Sequence, residues 1–274
     1  MRISKSRLTT FLACPEKYCL AYELGLKPRR KPQDLVVGAS THHLIATHFI
    51  RSRIQEACDL REVLQEYWSR YTPDNTDFAT LADLEAGKAQ SLDLARLFIR
   101  EVRLEPLEVE YKFALPVVHM VTGETLPDLE LVGIIDLIDQ PNGQRRAIEI
   151  KTKSRKPDDF GAQTSVELTC YAYWLRFLDD QEVIPVSYVN IVKNKRPYVQ
   201  WQNQERTSED FVDLFHTVET VVANILDRRF YRNPGIHCNW CDFRPICTRD
   251  LEAVEAMFGM EAMEVLQENG RMGR

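Results

Sequence analysis

The chain has 274 residues, enough for one large domain or one and a half. Its hydrophobic fraction of 44% supports a sizeable core, yet no apolar run reaches the roughly eighteen residues that a membrane span needs. A net charge of −6 does not advertise nucleic acid, and MRISKSRLTTFLACPEK lacks the long apolar core of a secretory signal, so a cytoplasmic protein without membrane contact is expected.

In chain order, Ser4 to Leu24 reads as helical, with Ser4 or Ser6 as N-cap and a break at Cys14-Pro15. Arg2 to Lys31 is strongly basic, and such a local surface can hold a phosphate chain on an acidic protein. A polar loop follows to Pro32. A helical pattern then runs from Gly38 to about Tyr67, with His42, Ile45, Ala46 and Phe49 on one face. Tyr71 to Asp77 is turn-rich, and Leu81 to Leu104 is a long amphipathic helix. At Leu107 to Leu115 the period changes to alternation, a strand. After a central β-rich stretch come a helix over Ser165 to Leu178, a strand over Val183 to Val192, and its hairpin partner over Tyr198 to Gln202. Thr207 to Phe230 carries an apolar stripe at helical spacing, and a cysteine-rich segment and a helix to Leu266 close the chain.

The central stretch, Leu131 to Lys153, holds two β-rich runs joined at Asn142-Gly143, a strong signal for a primed turn with positive φ. Centred there, paired residue numbers sum to 285, so Asp136 faces Glu149. Directly opposed side chains have Cβ atoms roughly 4.5–5.5 Å apart, and two carboxylates so placed repel unless a cation lies between them. Asp136 shares its strand face with Val132, Ile134 and Ile138, where a lone charge is costly, and Glu149 and Lys151 point to that same face. Two carboxylates and an amine there suit Mg²⁺ or Mn²⁺ and a phosphate. The alternative is a solvated hairpin decorated with charges.

Seven cysteines, an odd number, favour metal ligation over disulfides. Cys238, Cys241 and Cys247 form a CxxC-x5-C half-site that needs a fourth ligand, with Cys14, Cys19 and His237 as candidates. Zinc and an iron–sulfur cluster both fit this chemistry. Cys170 sits in apolar helical surroundings, and Cys58 has no evident partner. A link from Cys14 to the late cysteines would close most of the chain into one loop, worth on the order of 5 kcal/mol in chain entropy.

These motifs resemble, in order and over most of the chain, the RecB-type exonucleases of the PD-(D/E)XK superfamily, specifically the iron–sulfur branch with Cas4-like and AddB-like nuclease domains. The resemblance is carried by Ser4-Lys-Ser-Arg-Leu with Cys14-Pro15-Glu-Lys-Tyr18, Gly38-x3-His42, Gly133-Ile-Ile-Asp136, Glu149-Ile-Lys151-Thr152 and the late cysteine triad. It implies an α/β (α+β) restriction-endonuclease-like core, a mixed central sheet flanked by helices, with a helical insertion and an iron–sulfur-stapled terminal region. On that pattern the segments are 1–36, with one cluster cysteine; 37–104, helical with the His motif; 105–206, the nuclease core; and 207–274, the last helices and cysteines.

The resemblance also implies roles. His42, Asp136, Glu149 and the Ile150 carbonyl would hold Mg²⁺ or Mn²⁺, Lys151 would orient water and steady the phosphate, and Cys14, Cys238, Cys241 and Cys247 would hold a [4Fe–4S] cluster. Where the family has Q-x-x-x-Y, this chain has Glu167-x3-Tyr171, with Gln163 one turn earlier as a substitute. A glutamate there adds a charge that could serve as a ligand or repel a phosphate. By length, the helices between Arg51 and Leu104 could arch over single-stranded DNA, and Tyr18, Tyr22 and Trp240 could stack its bases. The implied activity is a metal-dependent single-strand exonuclease or flap- and end-processing nuclease, in DNA repair, recombination or CRISPR adaptation. The second reading is a non-catalytic DNA-end-binding subunit that serves a helicase or integrase partner.

Overall fold

The computed structural model describes residues 1–179 and 181–271. Its frame is one mixed sheet of six strands: β1 (Arg2–Ser4), β2 (Glu108–Val118), β3 (Thr125–Asp139), β4 (Arg146–Lys153), β5 (Ile184–Val192) and β6 (Tyr198–Arg206). The order is β1-β3-β4-β5-β6, and β2 pairs antiparallel along the other edge of β3. β1 runs parallel to β3 and β4 parallel to β5, while the β3–β4 and β5–β6 pairs are antiparallel hairpins. β3 starts at Thr125, six residues before the expected run, because the β2–β3 pairing extends it.

Helices cover both faces. On one side lie α1 (Lys5–Ala13), α7 (Val166–Leu178) and α8 (Ser208–Leu226), packed on Ile135, Ala147 and Val186. On the other lie α3 (Gln33–Arg53), α4 (Leu60–Trp68) and α5 (Leu81–Glu101), packed on Leu137, Ile148, Ile150, Val189 and Ile191. This corrects the picture of an arch: Phe98, Leu94 and Trp68 are buried in the sheet-facing core, so these helices are a structural layer. The helix expected over Gly38 to Tyr67 is two helices, since the chain leaves α3 at Ile54 and Asp59 caps α4 by accepting from the Arg61 N–H at 2.8 Å. Among the described residues no helix is long and apolar enough to cross a membrane.

The chain ends meet in a third, smaller core. Leu20 and Leu26 pack there against Phe243, Ile246, Val254, Phe258 and Leu266. These late residues come from α9 (Arg244–Thr248), α10 (Leu251–Phe258), α11 (Met260–Glu268) and the loop before them. The expected single closing helix breaks at Gly259, whose φ of +89° is open to glycine at little cost. Cys14 ends α1, and α2 (Pro15–Tyr18) follows at once, with the break where Pro15 forces extended backbone on the residue before it.

Candidate active site

The hairpin has the expected register. Leu137 pairs with Ile148, Ile138 with Ala147 and Asp139 with Arg146. Asn142 and Gly143 both take positive φ, +55° and +82°, and the Gln144 N–H closes the turn on the Pro141 carbonyl at 3.1 Å. The ladder stops one step short of Asp136 and Glu149. β1 takes up the same edge of β3 only at Glu130–Val132, so β3 and β4 splay between the two contacts. In that gap the Ile150 N–H donates to Asp136 Oδ2 at 2.7 Å. Across the other edge Glu110 lies opposite Asp136 with φ +51°, and pairing skips it. Ile135 and Ile138 share one core layer while Leu137 lies in the other, so the pleat slips here. Strict alternation through Val132, Ile134, Asp136 and Ile138 therefore fails: the first three line an open cleft and Ile138 is core.

Two motif glycines act by close approach. A Cβ on Gly38 would lie 2.9 Å from Thr152 Oγ1, so glycine lets α3 close on β4 and carries His42, one turn on, to 3.5 Å from Asp136 Oδ2. A Cβ on Gly133 would meet the Phe113 ring at 2.6 Å; that ring stacks on Trp174 and meets Tyr171 edge-on.

Side chains from three elements converge on Glu149. Lys151 Nζ lies 2.6 Å from its Oε1, and Lys5 Nζ lies 3.1 Å from each oxygen. The Tyr171 hydroxyl lies 2.7 Å from Oε2 and 2.9 Å from the Ile134 carbonyl, and it also meets Lys5 Nζ. Glu167 lies between the lysines, Oε1 at 2.6 Å from Lys5 and Oε2 at 2.8 Å from Lys151, and accepts from the Tyr188 hydroxyl at 2.9 Å. The cleft beside them, about 1060 Å³, is lined by Lys5, His42, Glu110, Asp136 and Lys151. A second cleft of about 590 Å³ reaches Lys151 and Glu167 from the other side.

The electrostatics follow from burial and neighbours. Burial raises Asp136 to about 6, with the Ile150 N–H holding it lower than burial alone would. Glu149 is raised by burial and then by Asp136. Burial lowers His42 to about 4, so its imidazole is neutral at pH 7, the form that binds metals. Burial works against charge on Glu167, but Lys151 and Lys5 outweigh it and hold that carboxyl at about 2. Burial likewise opposes the Lys151 ammonium, and Glu149 and Glu167 overcome it and raise its pKa.

Among the described residues no group of three or more His, Cys, Asp or Glu side chains stands ready to hold a metal ion. At the sheet the reason is visible: two ammoniums lie on Glu149, and Asp136 is held by a backbone N–H. The donor chemistry nevertheless fits a hard divalent cation. Burial raises both carboxylates, Asp136 raises Glu149 further, and a neutral imidazole stands beside Asp136.

All seven cysteines are free thiols. Burial raises Cys241 and Cys247, and the Cys14 thiol is near enough to add to both shifts. Cys238 lies in the same short turn as Cys241, its Sγ 3.5 Å from the Gly235 N–H. Backbone bonds tie the region together: the Glu16 N–H donates to the Tyr231 carbonyl at 2.9 Å, and Asn233 Nδ2 to the Ala13 carbonyl at 3.0 Å. Cys14 thus lies near Cys241 and Cys247 although it is far from them in sequence, a soft-donor grouping of the chemical type a thiolate-bound group takes. Of the other two candidates, Cys19 meets Arg271, 3.5 Å from its Nη2, and His237 has a buried Nε2 without a hydrogen-bond partner.

The structure thus gathers His42, Asp136, Glu149, Lys151, Glu167 and Tyr171 at one place. Gln163 is not part of it: Thr164 and Ser165 end its short helix α6 (Phe160–Gln163) before α7 begins, and its side chain is exposed. Tyr18 is no base-stacking residue, being fully buried against Phe11, Tyr22 and Phe230, whereas Trp240 is 76% exposed. Sequence reasoning missed Lys5 and Glu110. Lys5 stood unread inside the quoted N-terminal motif, and Glu110 gave no signal beyond its strand position.

A mixed sheet between two helical layers, with acidic groups at a splayed hairpin, defines a nuclease-type α/β fold. The chain belongs to the PD-(D/E)XK nuclease superfamily, whose sequence profile it matches over residues 2–248. Among solved structures, a protein of Eubacterium rectale named as a candidate exonuclease is similar in fold, with 15% identity, 82% of this chain and 80% of that one covered, and a TM-score of 0.50. The crystal structure of SSO0001 is 16% identical over 90% of this chain and 86% of that one, with a TM-score of 0.39. No curated protein matches the chain in sequence.

Proposed function

We propose that this protein is a metal-dependent DNA nuclease that trims single-stranded ends or flaps and belongs to the RecB-type, Cas4-like iron–sulfur branch of its superfamily. The observation that carries the reading is the splay of β3 from β4, where Asp136 and Lys151 line an open cleft of about 1060 Å³ with Glu149 bonded to Lys151 beside it. Asp136, Glu149, the Ile150 carbonyl and His42 would hold a Mg²⁺ or Mn²⁺ ion, which would supply an activated water and offset charge on the phosphate. Lys151 would orient that water and steady the scissile phosphate, its ammonium anchored by Glu167. Tyr171 locks the Glu149 carboxylate in one orientation. In hydrolysis a water oxygen bonds phosphorus and gives up a proton to solvent, the ester P–O bond breaks, and the leaving oxygen takes a proton from solvent. Cys14, Cys238, Cys241 and Cys247 hold a [4Fe–4S] cluster that joins the chain ends.

The test is incubation of a labelled single strand with Mn²⁺ and either wild type or Lys151→Ala. Degradation by wild type and its loss in the variant support the reading; equal slow loss with both proteins overturns the catalytic assignment. Anaerobically purified protein should be brown with near-stoichiometric iron and sulfide, and a colourless protein with one zinc rejects the cluster.

A further inference from the structure

Lys5 occupies a place that helix energetics disfavour. It is the first residue of α1, where the helix dipole already presents positive charge, and no acidic residue stands in that first turn. A lysine there costs stability unless something faces it. Two carboxylates do: Glu149, 3.1 Å from Lys5 Nζ through both oxygens, and Glu167 at 2.6 Å. The ammonium also lies 4.7 Å from the centre of the Tyr171 ring. The side chain is 16% exposed, and it lines the same cleft as Asp136 and Lys151.

Glu167 divides its oxygens between the two lysines, one to each. If Glu149 turns to a metal ion, it no longer anchors either ammonium. Glu167 still anchors both, and both are then turned toward whatever fills the cleft. A glutamate at this position therefore does not mark a failed site. Its charge is matched within the same cluster by an extra lysine. Three carboxylates then face two ammoniums and the positive end of α1, a balance that a divalent cation tips toward binding a phosphate.

We propose that Lys5 is a second phosphate-binding cation of the site, paired with Glu167 so that the two residues act as one charge-balanced unit. The inference rests on the nuclease reading but is tested apart from it.

The measurement is binding of a fluorescent oligothymidylate to the whole protein in Ca²⁺, chosen to fill the cation site without cleavage, by anisotropy across a salt series, with an EDTA arm in which the Lys5 effect should shrink and thermal unfolding run in parallel. The proteins are wild type, Lys5→Ala, Lys5→Arg, Glu167→Gln and Lys5→Ala/Glu167→Gln. Removing one phosphate contact on a single strand should lower the salt slope by about 0.7. Lys5→Ala should show that loss and bind several-fold more weakly. Lys5→Arg should stay close to wild type, Glu167→Gln should bind more tightly, and the double variant should recover most of what Lys5→Ala loses. The melting shifts of the two single variants should likewise not add in the double variant. A Lys5→Ala variant with unchanged affinity and slope overturns the proposal, as does a double variant no better than Lys5→Ala, or a wild type that binds no oligothymidylate. If the coupling is seen but wild type does not cut DNA in Mn²⁺, the nuclease reading falls and the charge pair stands.

Discussion

The two places where distant parts of this chain meet are built from opposite materials. At the β3–β4 splay almost every contact is ionic: two lysines, a tyrosine and a backbone N–H satisfy three carboxylates. Where the chain ends join, Leu20, Leu26, Phe243 and Phe258 form an apolar knot, and the thiols sit at its margin. The first junction is held by charges that a metal and a substrate would rearrange. The second is held by packing that a cluster would only reinforce. Buried ionic groups contribute weakly to net stability but are costly to leave unpaired, whereas an apolar knot stabilises in proportion to the area it hides. The sheet site is thus poised for chemistry and the end junction for scaffolding.

The largest effect should come from the ionic side. Lys151→Ala is expected to lower the single-turnover cleavage rate about 10²–10³-fold, the range for removing one preorganised charge-stabilising group. Its melting temperature should fall by a few degrees, because only Lys5 then pairs Glu149 and Glu167. A fall of more than about 10 °C would mean that the cluster is structural first. The apolar side should break differently. Phe258 is 7% exposed and stacks on Phe243 at 5.5 Å, so Phe258→Ala should cost about 3–5 kcal/mol in urea unfolding. It should also lower iron content without touching a sulfur. Unchanged iron in a destabilised variant would show that the cysteines are organised without the knot.

The same contrast governs what could be read from residues alone. The sheet site was legible because its parts lie close in sequence: Asn142-Gly143 sets the turn, the turn sets the register, and the register brings Asp136 opposite Glu149. Lys5 and Glu110 were not legible, since each reaches the site through long-range strand pairing that no local period encodes. The pleat slip at Asp136 was hidden for the same reason, because it arises from three strands competing for two edges of β3. The layer formed by α4 and α5 was read as a separate arch, because an apolar stripe shows that a helix is buried but not against what. At the chain ends CxxC-x5-C was plain, yet the apolar residues around it looked like an ordinary closing helix.

Two further measurements sharpen the comparison on the ionic side. With Asp136 raised from 3.8 to about 6, keeping its buried carboxylate ionised penalises folding at neutral pH by roughly 3 kcal/mol at most, a cost relieved as the group takes up its proton when pH falls through about 6. His42, lowered to about 4, works the other way, since the unfolded chain takes up its proton first as pH falls below its ordinary value. Comparison with Asp136→Asn separates them. In EDTA, wild type minus variant stability should rise as pH falls from 7 to about 5, and saturating Mn²⁺ should abolish that rise. A difference flat with pH would mean that Asp136 is not desolvated in solution.

The smallest effect should come from Gly38→Ala, and two opposing terms decide its sign. Alanine in a helix interior gains about 1 kcal/mol over glycine. The new methyl meets Thr152 Oγ1 at 2.9 Å, and overpacking of this kind typically costs about 1–3 kcal/mol. Stability should therefore change by no more than about 2 kcal/mol in the unfavourable direction. Activity should change more, because α3 must move off β4 and take His42 from its 3.5 Å approach to Asp136. About a tenfold drop in cleavage at subsaturating Mn²⁺ is expected, in line with the cost of small misplacements near a reacting centre. Thr152→Ala alone removes the obstruction, so Gly38→Ala/Thr152→Ala should regain metal affinity while keeping the helix gain. If the double variant stays as weak as Gly38→Ala, the helix-to-strand approach is not what positions His42, and the glycine serves some other contact of α3.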